Sequence, residues 1–351
     1  MSRTKLITII CWSVSALALL GLIIWVLVGN MFTFSFGFNT GPFTPATTQS
    51  VNTQNIHTID IDWTAGAIYV RRHQGNEIIV TELTQRELRD REEMYVSTSG
   101  GVLSIRYTQR GGINIGINNL SKRLEVLVPY SMAGDFQGFR INNTSGRVII
   151  SDIGADNFSI RTNSGRIELH NITATTFSAT TTSGRVEVFN IYAEDISTRT
   201  NSGRIEMRDI ISNQLSATTT SGRIELFTVE AEDINLRTNS GMIRASDTDA
   251  GSITTQTSSG RHELFGSFGY VNARSNSGRL EIVSDIVPSH ITARATSGRI
   301  DVTVPNQEPI AVQYSTSSGR FSSEIPTIAH SGANAQFNLS TSSGRISIFQ
   351  R

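Results

Sequence analysis

Cysteine, proline and surplus charge are all scarce in this sequence. Cys11 is the one cysteine among 351 residues, so no disulfide can form within the chain. Basic and acidic residues number 30 each, and this balance argues against a nucleic-acid binder, which would normally carry a basic surplus. Prolines number only 7 and glycines 29, while serine, threonine, isoleucine and valine are abundant. This composition is typical of β-structure interrupted by turns.

The main feature of the chain is a Ser-Gly pair, usually followed by arginine, that recurs from Ser145 to Arg345. Its glycines are nineteen residues apart from Gly146 to Gly260 and are more loosely spaced afterwards. A fixed period near twenty residues indicates one supersecondary unit per repeat and a stacked, solenoid-like architecture. The predicted turn glycines are Gly146, Gly165, Gly184, Gly203, Gly222, Gly241, Gly260, Gly278, Gly298, Gly319 and Gly344.

Side chains within each repeat alternate between apolar and polar, which predicts strands with one buried face and excludes helix. Residues two and four after the glycine are apolar, as at Ile167 and Leu169, and should point inward. Those one and three after it, as at Arg166 and Glu168, should face water. Further inward positions give about three faces per coil. We expect the glycine to take a positive φ at a bend that recurs at the same height in every rung, where a side chain would clash.

The repeats are short and alike, and the histidines are scattered. A catalytic site on a parallel β-helix needs a local cluster of unique acids, bases or metal ligands, usually on loops that interrupt the repeat. No Gly-x-Ser-x-Gly nucleophile motif stands out, and His262 occupies an apolar rung position, where we expect a core residue. We therefore predict a non-enzymatic protein without cofactor or metal ion. A polysaccharide-acting β-helix enzyme is the alternative.

The N-terminal part has a different organisation. Residues 6–29 are uncharged and long enough to span a bilayer, and the preceding Arg3 and Lys5 favour a cytoplasmic N-terminus. A cleaved signal peptide or lipoprotein signal is the alternative. In the section after the span, the charge-rich segment Arg86 to Glu93 should be an exposed loop or short helix. The predicted divisions are a cytoplasmic stub (1–5), a transmembrane signal-anchor helix (6–29), an uncharged aromatic stalk or linker (30–50), an irregular N-terminal β section and cap (51–135) and the Ser-Gly-Arg repeat β-solenoid (136–351).

The residue after the glycine is the best candidate for binding chemistry. Because stacked strands lie about 4.8 Å apart, these residues should form an arginine ladder, broken at Met242: Arg147, Arg166, Arg185, Arg204, Arg223, Arg261, Arg279, Arg299, Arg320 and Arg345. Acids two positions further on should form a parallel ladder. One interpretation is a self-neutralised soluble face, since exposed ion pairs contribute only about 0–1 kcal/mol each. The other is a surface that grips a periodic anionic polymer, such as a teichoic acid or acidic glycan, through guanidinium forks.

A second period of 38 residues overlies the first. Arg161, Arg199 and Arg237 recur four residues before alternate glycines, which indicates growth by duplication of two-rung units. Near the C-terminus the spacing before Gly344 lengthens, and the extra residues could fold over the open end. The alternative is that a free edge remains at the final strand and pairs with another copy or with an envelope protein.

The order of these features resembles the bacterial putative-adhesin family, a domain of unknown function grouped with the toast-rack β-solenoids of cell-envelope proteins. The resemblance covers roughly residues 51–351. It rests on the N-terminal span, the opening Ile59-Asp60-Ile61, the phrase Leu124-Glu125-Val126-Leu127-Val128-Pro129 and the serial Ser-Gly-Arg-Ile-Glu-Leu rungs. It implies a single-stranded β-helix outside the membrane, with no known enzymatic activity and no catalytic residues to transfer. Many relatives carry an acidic residue after the Ser-Gly pair, where this chain usually has arginine.

We therefore predict an all-β, single-chain parallel β-helix with rungs of about 19 residues, preceded by one transmembrane helix. The protein should be single-pass in the cell membrane, with the bulk of the chain extracytoplasmic. Three functions remain open. It could be an adhesin-like module that binds an envelope glycan, an envelope-stress sensor that contacts a membrane or envelope protein, or a purely structural spacer. The sequence does not decide the ligand or the oligomeric state.

Overall fold

The computed structural model describes residues 42–89, 91–108, 122–134, 136–305, 309–328 and 334–351. No helix in these ranges is long and apolar enough to cross a membrane. The predicted stub, the predicted span and residues 30–41 of the predicted stalk lie outside the described residues.

The regular secondary structure of the described residues consists of β-strands. The N-terminal strands are β1 (Thr44–Asn52), β2 (Thr58–Ala65), β3 (Ile68–His73), β4 (Glu77–Thr84), β5 (Tyr95–Ser99), β6 (Val102–Arg106) and β7 (Arg123–Pro129). The central strands are β8 (Phe136–Ser145), β9 (Val148–Thr162), β10 (Ile167–Thr181), β11 (Val186–Thr200), β12 (Ile205–Thr219), β13 (Ile224–Thr238), β14 (Ile243–Ser259) and β15 (His262–Ser277). The C-terminal strands are β16 (Leu280–Ser284), β17 (His290–Ser297), β18 (Ile300–Val304), β19 (Ile310–Thr316), β20 (Arg320–Ser323), β21 (Thr327–Ile328), β22 (Gln336–Ser343) and β23 (Arg345–Gln350).

Each repeat from β10 to β13 is one 15-residue strand that bends at two corners. Neighbouring repeats pair in parallel, so that Ile167 lies beside Val186, and the pairing skips Asn171 and Thr175. The chain turns at these two skipped positions, which gives each coil three faces. The predicted parallel β-solenoid with rungs of about 19 residues is therefore confirmed.

The core consists of the inward side chains that the alternation predicts. Ile167, Leu169, Ile172 and Phe177 are buried, as are most of their equivalents in the other rungs. Aromatic residues stack between rungs in this core, with Phe158 and Phe177 ring centroids 5.9 Å apart. Because every rung repeats the same apolar positions, burial of apolar area is distributed evenly along the stack.

One corner of the solenoid carries a row of residues with left-handed backbone, with φ between 54° and 61°. The amide group of Asn171 donates a hydrogen bond to Asp152 Oδ1 at 2.8 Å, and Asn190 donates to Asn171 Oδ1 at 2.8 Å. Asparagine and aspartate tolerate this conformation better than other non-glycine residues. The row is missing from the sequence-based prediction, although it recurs six residues after successive glycines. It comprises Asp152, Asn171, Asn190, Asp209, Thr228 and Asp247.

The repeat glycines are required by close backbone contact. Of the predicted turn glycines, only Gly146, Gly278 and Gly344 have a φ in the left-handed region, so the expectation of a positive φ is wrong for the others. Instead, a β-carbon on Gly184 would lie 1.6 Å from the carbonyl oxygen of Gly165 in the preceding rung. The predicted clash with a side chain at this height is confirmed, since equivalent contacts occur at each repeat glycine.

The coils at both ends are not stacked in sequence order. At the C-terminal end β23 pairs with β18 on one side and β20 on the other, and β22 lies between β17 and β19 in the same way. The repeat glycines therefore stack in the order Gly298, Gly344, Gly319. The alternative of a free edge at the final strand is wrong, because β23 is paired on both sides. Among the described strands, β20 and β21 each pair on one side only.

The N-terminal end shows a similar exchange of order and an antiparallel closure. Strand β2 lies between β6 and β8, and strand β3 lies between β7 and β9. Strand β4 then pairs antiparallel with β7, β1 with β4, and β5 with β6. Because β1 begins at Thr44, the strand region begins before the predicted boundary at residue 51.

Two charged clusters stabilise this N-terminal closure. Glu92 is buried and forms an ion pair with Arg86 at 2.9 Å. This contact is the main reason that the pKa of Glu92 falls to about 2. The prediction of an exposed segment from Arg86 to Glu93 is therefore wrong at Glu92. Deeper in the same region, Lys122 Nζ lies 2.9 Å from Glu82 Oε1, and both side chains are fully buried.

Candidate functional site

The outer surface has two faces with distinct chemistry. The Arg–Glu face carries the outward side chains one, three and five residues after each repeat glycine, as at Arg185, Glu187 and Phe189. The Ser–Thr face carries the outward side chains six, four and two residues before the glycine, as at Ser178 and Thr180. Because the rungs are in register, each position forms a row along the solenoid axis.

The predicted arginine ladder lies on the Arg–Glu face and is largely paired. Arg166 contacts Glu168 in its own rung at 3.2 Å and also contacts Glu187 in the next rung. Arg185 lies 3.0 Å from the same Glu187. The further pairs of ladder arginines are Arg204–Glu206, Arg204–Glu225, Arg223–Glu225, Arg261–Glu263, Arg279–Glu281 and Arg279–Asp301.

Some of the acids in this ladder lie beneath the arginines. The side chain of Glu187 is 5% exposed, whereas that of Arg185 is 49% exposed. The prediction that the acidic ladder faces water is therefore wrong at Glu187, Glu225 and Asp301, which are buried. The long arginine side chains cover the shorter carboxylates while their guanidinium groups remain at the surface.

The ladder arginines near the two ends differ from those in the middle. Arg147, Arg299, Arg345 and Arg320 are exposed and form no ion pair with a described side chain. Because the C-terminal coils exchange order, the last three follow one another as Arg299, Arg345 and Arg320 along the axis. Met242 interrupts the ladder in the rung of Gly241, as the sequence predicts. The role of the ladder in ligand binding stays a prediction.

A second row of arginines lies on the Ser–Thr face. Arg199 is two rungs from both Arg161 and Arg237, with threonines in the intervening rungs. These side chains are exposed and form no ion pair with any described residue. From Arg161 to Arg237 the 38-residue period therefore corresponds to a cation without an ion pair at every second rung, about 9.6 Å apart. Arg274 follows two rungs after Arg237, and Arg294 lies in the rung next to Arg274. The members of this arginine row are Arg161, Arg199, Arg237, Arg274 and Arg294.

A shallow groove of about 560 Å³ borders the arginine row. It crosses four rungs, and its polar lining includes Ser197, Asn235, Asp195 and Asp233. Arg199 is the next outward residue after Ser197 on the same strand, so guanidinium groups stand beside the groove opposite the aspartates. Carboxylates accept hydrogen bonds, amides and hydroxyls both donate and accept them, and the guanidinium group binds anions. This combination suits a ligand that carries both hydroxyl and acidic groups.

His262 belongs to the core, and the potential metal ligands among the described residues do not form a cluster. His262, which the sequence placed in the core, is fully buried, and its Nδ1 lies 2.7 Å from the hydroxyl of Thr255. Burial lowers the pKa of His262 to about 4. Among the described residues, no group of three or more His, Cys, Asp or Glu side chains is placed to hold a metal ion.

The sequence contained a signal for the arginine row, because its 38-residue recurrence is visible without a structure. It did not show that these arginines lack acidic partners, since pairing depends on which residues share a face. The ladder arginines recur more often and are for that reason the more conspicuous set, yet most of them are paired.

A family model described as Toastrack DUF4097 matches residues 56–224 and, in a second match, residues 191–349. A comparison with curated proteins gave no significant match.

Solved structures from several bacteria are similar to this chain at low sequence identity. One is a putative cell adhesion protein from Clostridium sporogenes, with 7% identity and a TM-score of 0.27, covering 88% of this chain and 100% of that one. Another is a putative lipid binding protein from Parabacteroides distasonis, with 16% identity and a TM-score of 0.40, covering 88% and 98%. A third is a putative adhesin from Bacteroides fragilis, with 12% identity and a TM-score of 0.31, covering 87% and 96%.

Proposed function

Because the chain belongs to the Toastrack DUF4097 family, whose fold here presents long faces of regularly spaced side chains, we propose that it is a non-enzymatic module that binds an extended acidic glycan. The unpaired arginine row beside the groove is the observation that carries this proposal. An arginine without an acidic partner keeps its full anion-binding capacity, whereas a paired one must first give up its carboxylate.

The spacing of the arginine row supports an extended ligand. Arg161, Arg199 and Arg237 stand at every second rung, about 9.6 Å apart. This distance is close to the length of a disaccharide unit, so one acidic group per two sugars would meet one guanidinium group per two rungs. The polar groove next to the row supplies partners for the hydroxyl groups of the same chain.

We place the protein in the cell membrane with the solenoid outside. The support is the uncharged stretch of residues 6–29 after Arg3 and Lys5. An anchored solenoid of this kind would meet envelope glycans directly. If the protein instead senses envelope stress, crosslinking in cells would capture a membrane protein at the solenoid end and no glycan along its face.

Binding of full-length protein in detergent to wall teichoic acid and polygalacturonate tests the proposal. We expect salt-sensitive binding of at least one polymer and none of neutral dextran. The variant Arg199→Gln/Arg237→Gln should weaken binding at least tenfold, since each charge-assisted contact contributes roughly 1.5–3 kcal/mol. The matched control Arg204→Gln/Arg223→Gln removes two paired arginines from the other face and should leave the affinity within twofold.

Two results would redirect the proposal. If the control variant loses binding and the arginine-row variant keeps it, the ligand lies on the arginine ladder. If wild-type protein binds neither polymer at low salt, the function as a glycan-binding module is wrong, and the spacer or sensor function takes its place.

A further inference from the structure

One rung departs from the repeat at several positions on the Arg–Glu face. In the rung of Gly241, Met242 stands in place of arginine, Arg244 in place of glutamate, and Ser246 where the two neighbouring rungs carry phenylalanine. Pairing with the next rung is also irregular, with a register shift directly after Ala245. Bulges of this kind are over-represented next to functional sites because they redirect side chains.

In the four rungs from Gly165 to Gly222, the fifth position after the glycine carries a flat side chain, and these side chains stack in pairs. The rings of His170 and Phe189 lie parallel, with centroids 4.9 Å apart. The guanidinium carbon of Arg208 lies 4.4 Å from the ring centroid of Phe227. Ser246 is the next member of this row, and its side chain is too short to cover the other side of Phe227.

The missing flat group leaves a recess of about 390 Å³ lined by Phe227, Ser246 and Phe265. The two phenylalanines are in rungs on either side of Ser246, so they stand about 9.6 Å apart along the axis. Measured along the axis, a ring inserted midway would lie about 4.8 Å from each of them. This spacing matches the 4.9 Å between His170 and Phe189 within the row itself.

Polar groups line the same recess. Arg244 Nε donates a hydrogen bond to the hydroxyl of Ser246 at 3.2 Å, and its contact with Glu263 is long, at 3.9 Å. Since a guanidinium group has five N–H donors, most of its capacity is available to an anion. Asp247 stands exposed at the corner, where its carboxylate can accept hydrogen bonds from hydroxyl groups.

We propose that this recess binds one acidic sugar ring, a pyranose that carries a carboxylate, in the place of the missing side chain. The gap of about 4.8 Å on each side exceeds the carbon contact distance of about 3.5–4.0 Å. A puckered pyranose is thicker than a planar aromatic ring and fills this gap better. Its C–H groups pack on the two phenylalanine rings, its carboxylate pairs with Arg244, and its hydroxyls donate to Asp247. This site lies on the Arg–Glu face and does not depend on the groove proposed above.

Saturation-transfer NMR on the full-length protein in detergent tests the site with three probes: D-galacturonate, D-galactose and benzoate. Galacturonate should give the strongest transfer, galactose a weaker one and benzoate the weakest. Ser246→Phe should abolish the galacturonate signal, because phenylalanine is the residue that the neighbouring rungs carry at this position. Arg244→Gln should weaken galacturonate binding at least tenfold and leave galactose unchanged.

Several outcomes would overturn the inference. They are an absent galacturonate signal in wild-type protein, an undiminished signal in Ser246→Phe, or stronger binding of benzoate than of galacturonate. If Ser246→Phe does not fold, as judged by circular dichroism, the Arg244→Gln variant provides the test. An unchanged galacturonate affinity in that variant would show that the recess does not bind the sugar.

Discussion

Gly184 lies directly against the backbone of Gly165, so that a β-carbon on Gly184 would stand 1.6 Å from the Gly165 carbonyl oxygen. The obstructing atom is a backbone oxygen in the equivalent turn of the preceding rung and cannot rotate away. The same relationship is repeated along the stack, and it fixes how closely successive rungs approach at this turn.

Gly184→Ala should destabilise the solenoid by about 3 kcal/mol or more, at the upper end of overpacking costs, because two rungs must separate to admit one methyl group. Thermal unfolding and amide hydrogen exchange of β10 and β11 measure the effect. Gly134→Ala is the matched control, since a β-carbon there meets nothing within 4 Å. Equal unfolding temperatures for the two variants would contradict the close-contact explanation.

Replacement of Glu187 by glutamine should cost more stability than the same change at Glu168. Glu187 is 5% exposed and contacts both Arg166 and Arg185, whereas Glu168 is 22% exposed. Loss of a buried charged acceptor costs about 1–3 kcal/mol, while an exposed pair contributes about 0–1 kcal/mol. Parallel urea denaturation of the two variants provides the comparison, and a larger loss in Glu168→Gln would show that the arginines do not depend on the buried acids.

The Lys122–Glu82 pair should behave as one unit in a double-mutant cycle. Both side chains are fully buried, and Lys122 Nζ also donates to the carbonyl of Thr108 at 2.8 Å. Burial lowers the pKa of Lys122 and the hydrogen bond to Glu82 opposes this shift. Lys122→Met or Glu82→Gln alone should cost about 3–5 kcal/mol, because each leaves an uncompensated buried group. The double variant should cost clearly less than the sum, and additive costs would mean that the two side chains are independent.

His262 should make the stability fall as the pH is lowered from about 6.5 to about 4. Its pKa is 6.5 in an ordinary setting and about 4 in the folded protein, because burial disfavours the charged ring. Between these two pH values His262 is therefore protonated in the unfolded chain and neutral in the folded chain. The stabilisation is complete above pH 6.5 and is lost by about pH 4, with a total on the order of 3 kcal/mol.

Thr255→Ala/His262→Leu is the matched variant for this pH effect. Adjacent rungs carry Ala273 beside Thr255 and Leu280 beside His262, so the replacements suit the local packing. Chemical denaturation at several pH values should show a shallower dependence between pH 6.5 and 4 in the variant than in the wild type. Parallel stability curves for the two proteins would exclude His262 as the source.

The rungs could be predicted from the sequence because their pattern is local. Alternation within ten residues identifies Ile167 and Leu169 as buried, and the recurrence of glycine fixes the length of each coil. The clash at Gly184 could also be predicted, whereas the positive φ that a Ser-Gly turn normally indicates is not found there. Only the stacked neighbour shows that the carbonyl of Gly165 excludes a side chain.

The remaining features depend on contacts that leave no periodic signal. The insertion of Gly344 between Gly298 and Gly319 is decided by pairing across dozens of residues, and all three carry the same Ser-Gly-Arg phrase. The burial of Glu187 could not be predicted from alternation, because it results from arginines of two rungs that fold over it. In the sequence, the only sign of the recess beside Phe227 is that Met242 and Ser246 differ from the residues at the equivalent positions of the neighbouring rungs.

The interlocked ends restrict how a chain of this design can change its length. A duplicated unit inserted between Gly146 and Gly260 would meet equivalent rungs on both sides and would pair with either. A unit appended after Arg351 could not pair with the strand that precedes it, because β23 is already held between β18 and β20, and the open edges at this end belong to the earlier strands β20 and β21. Duplication of a rung in the middle of the stack therefore preserves the existing strand pairing, whereas an added C-terminal unit would have to pair across the intervening strand β23.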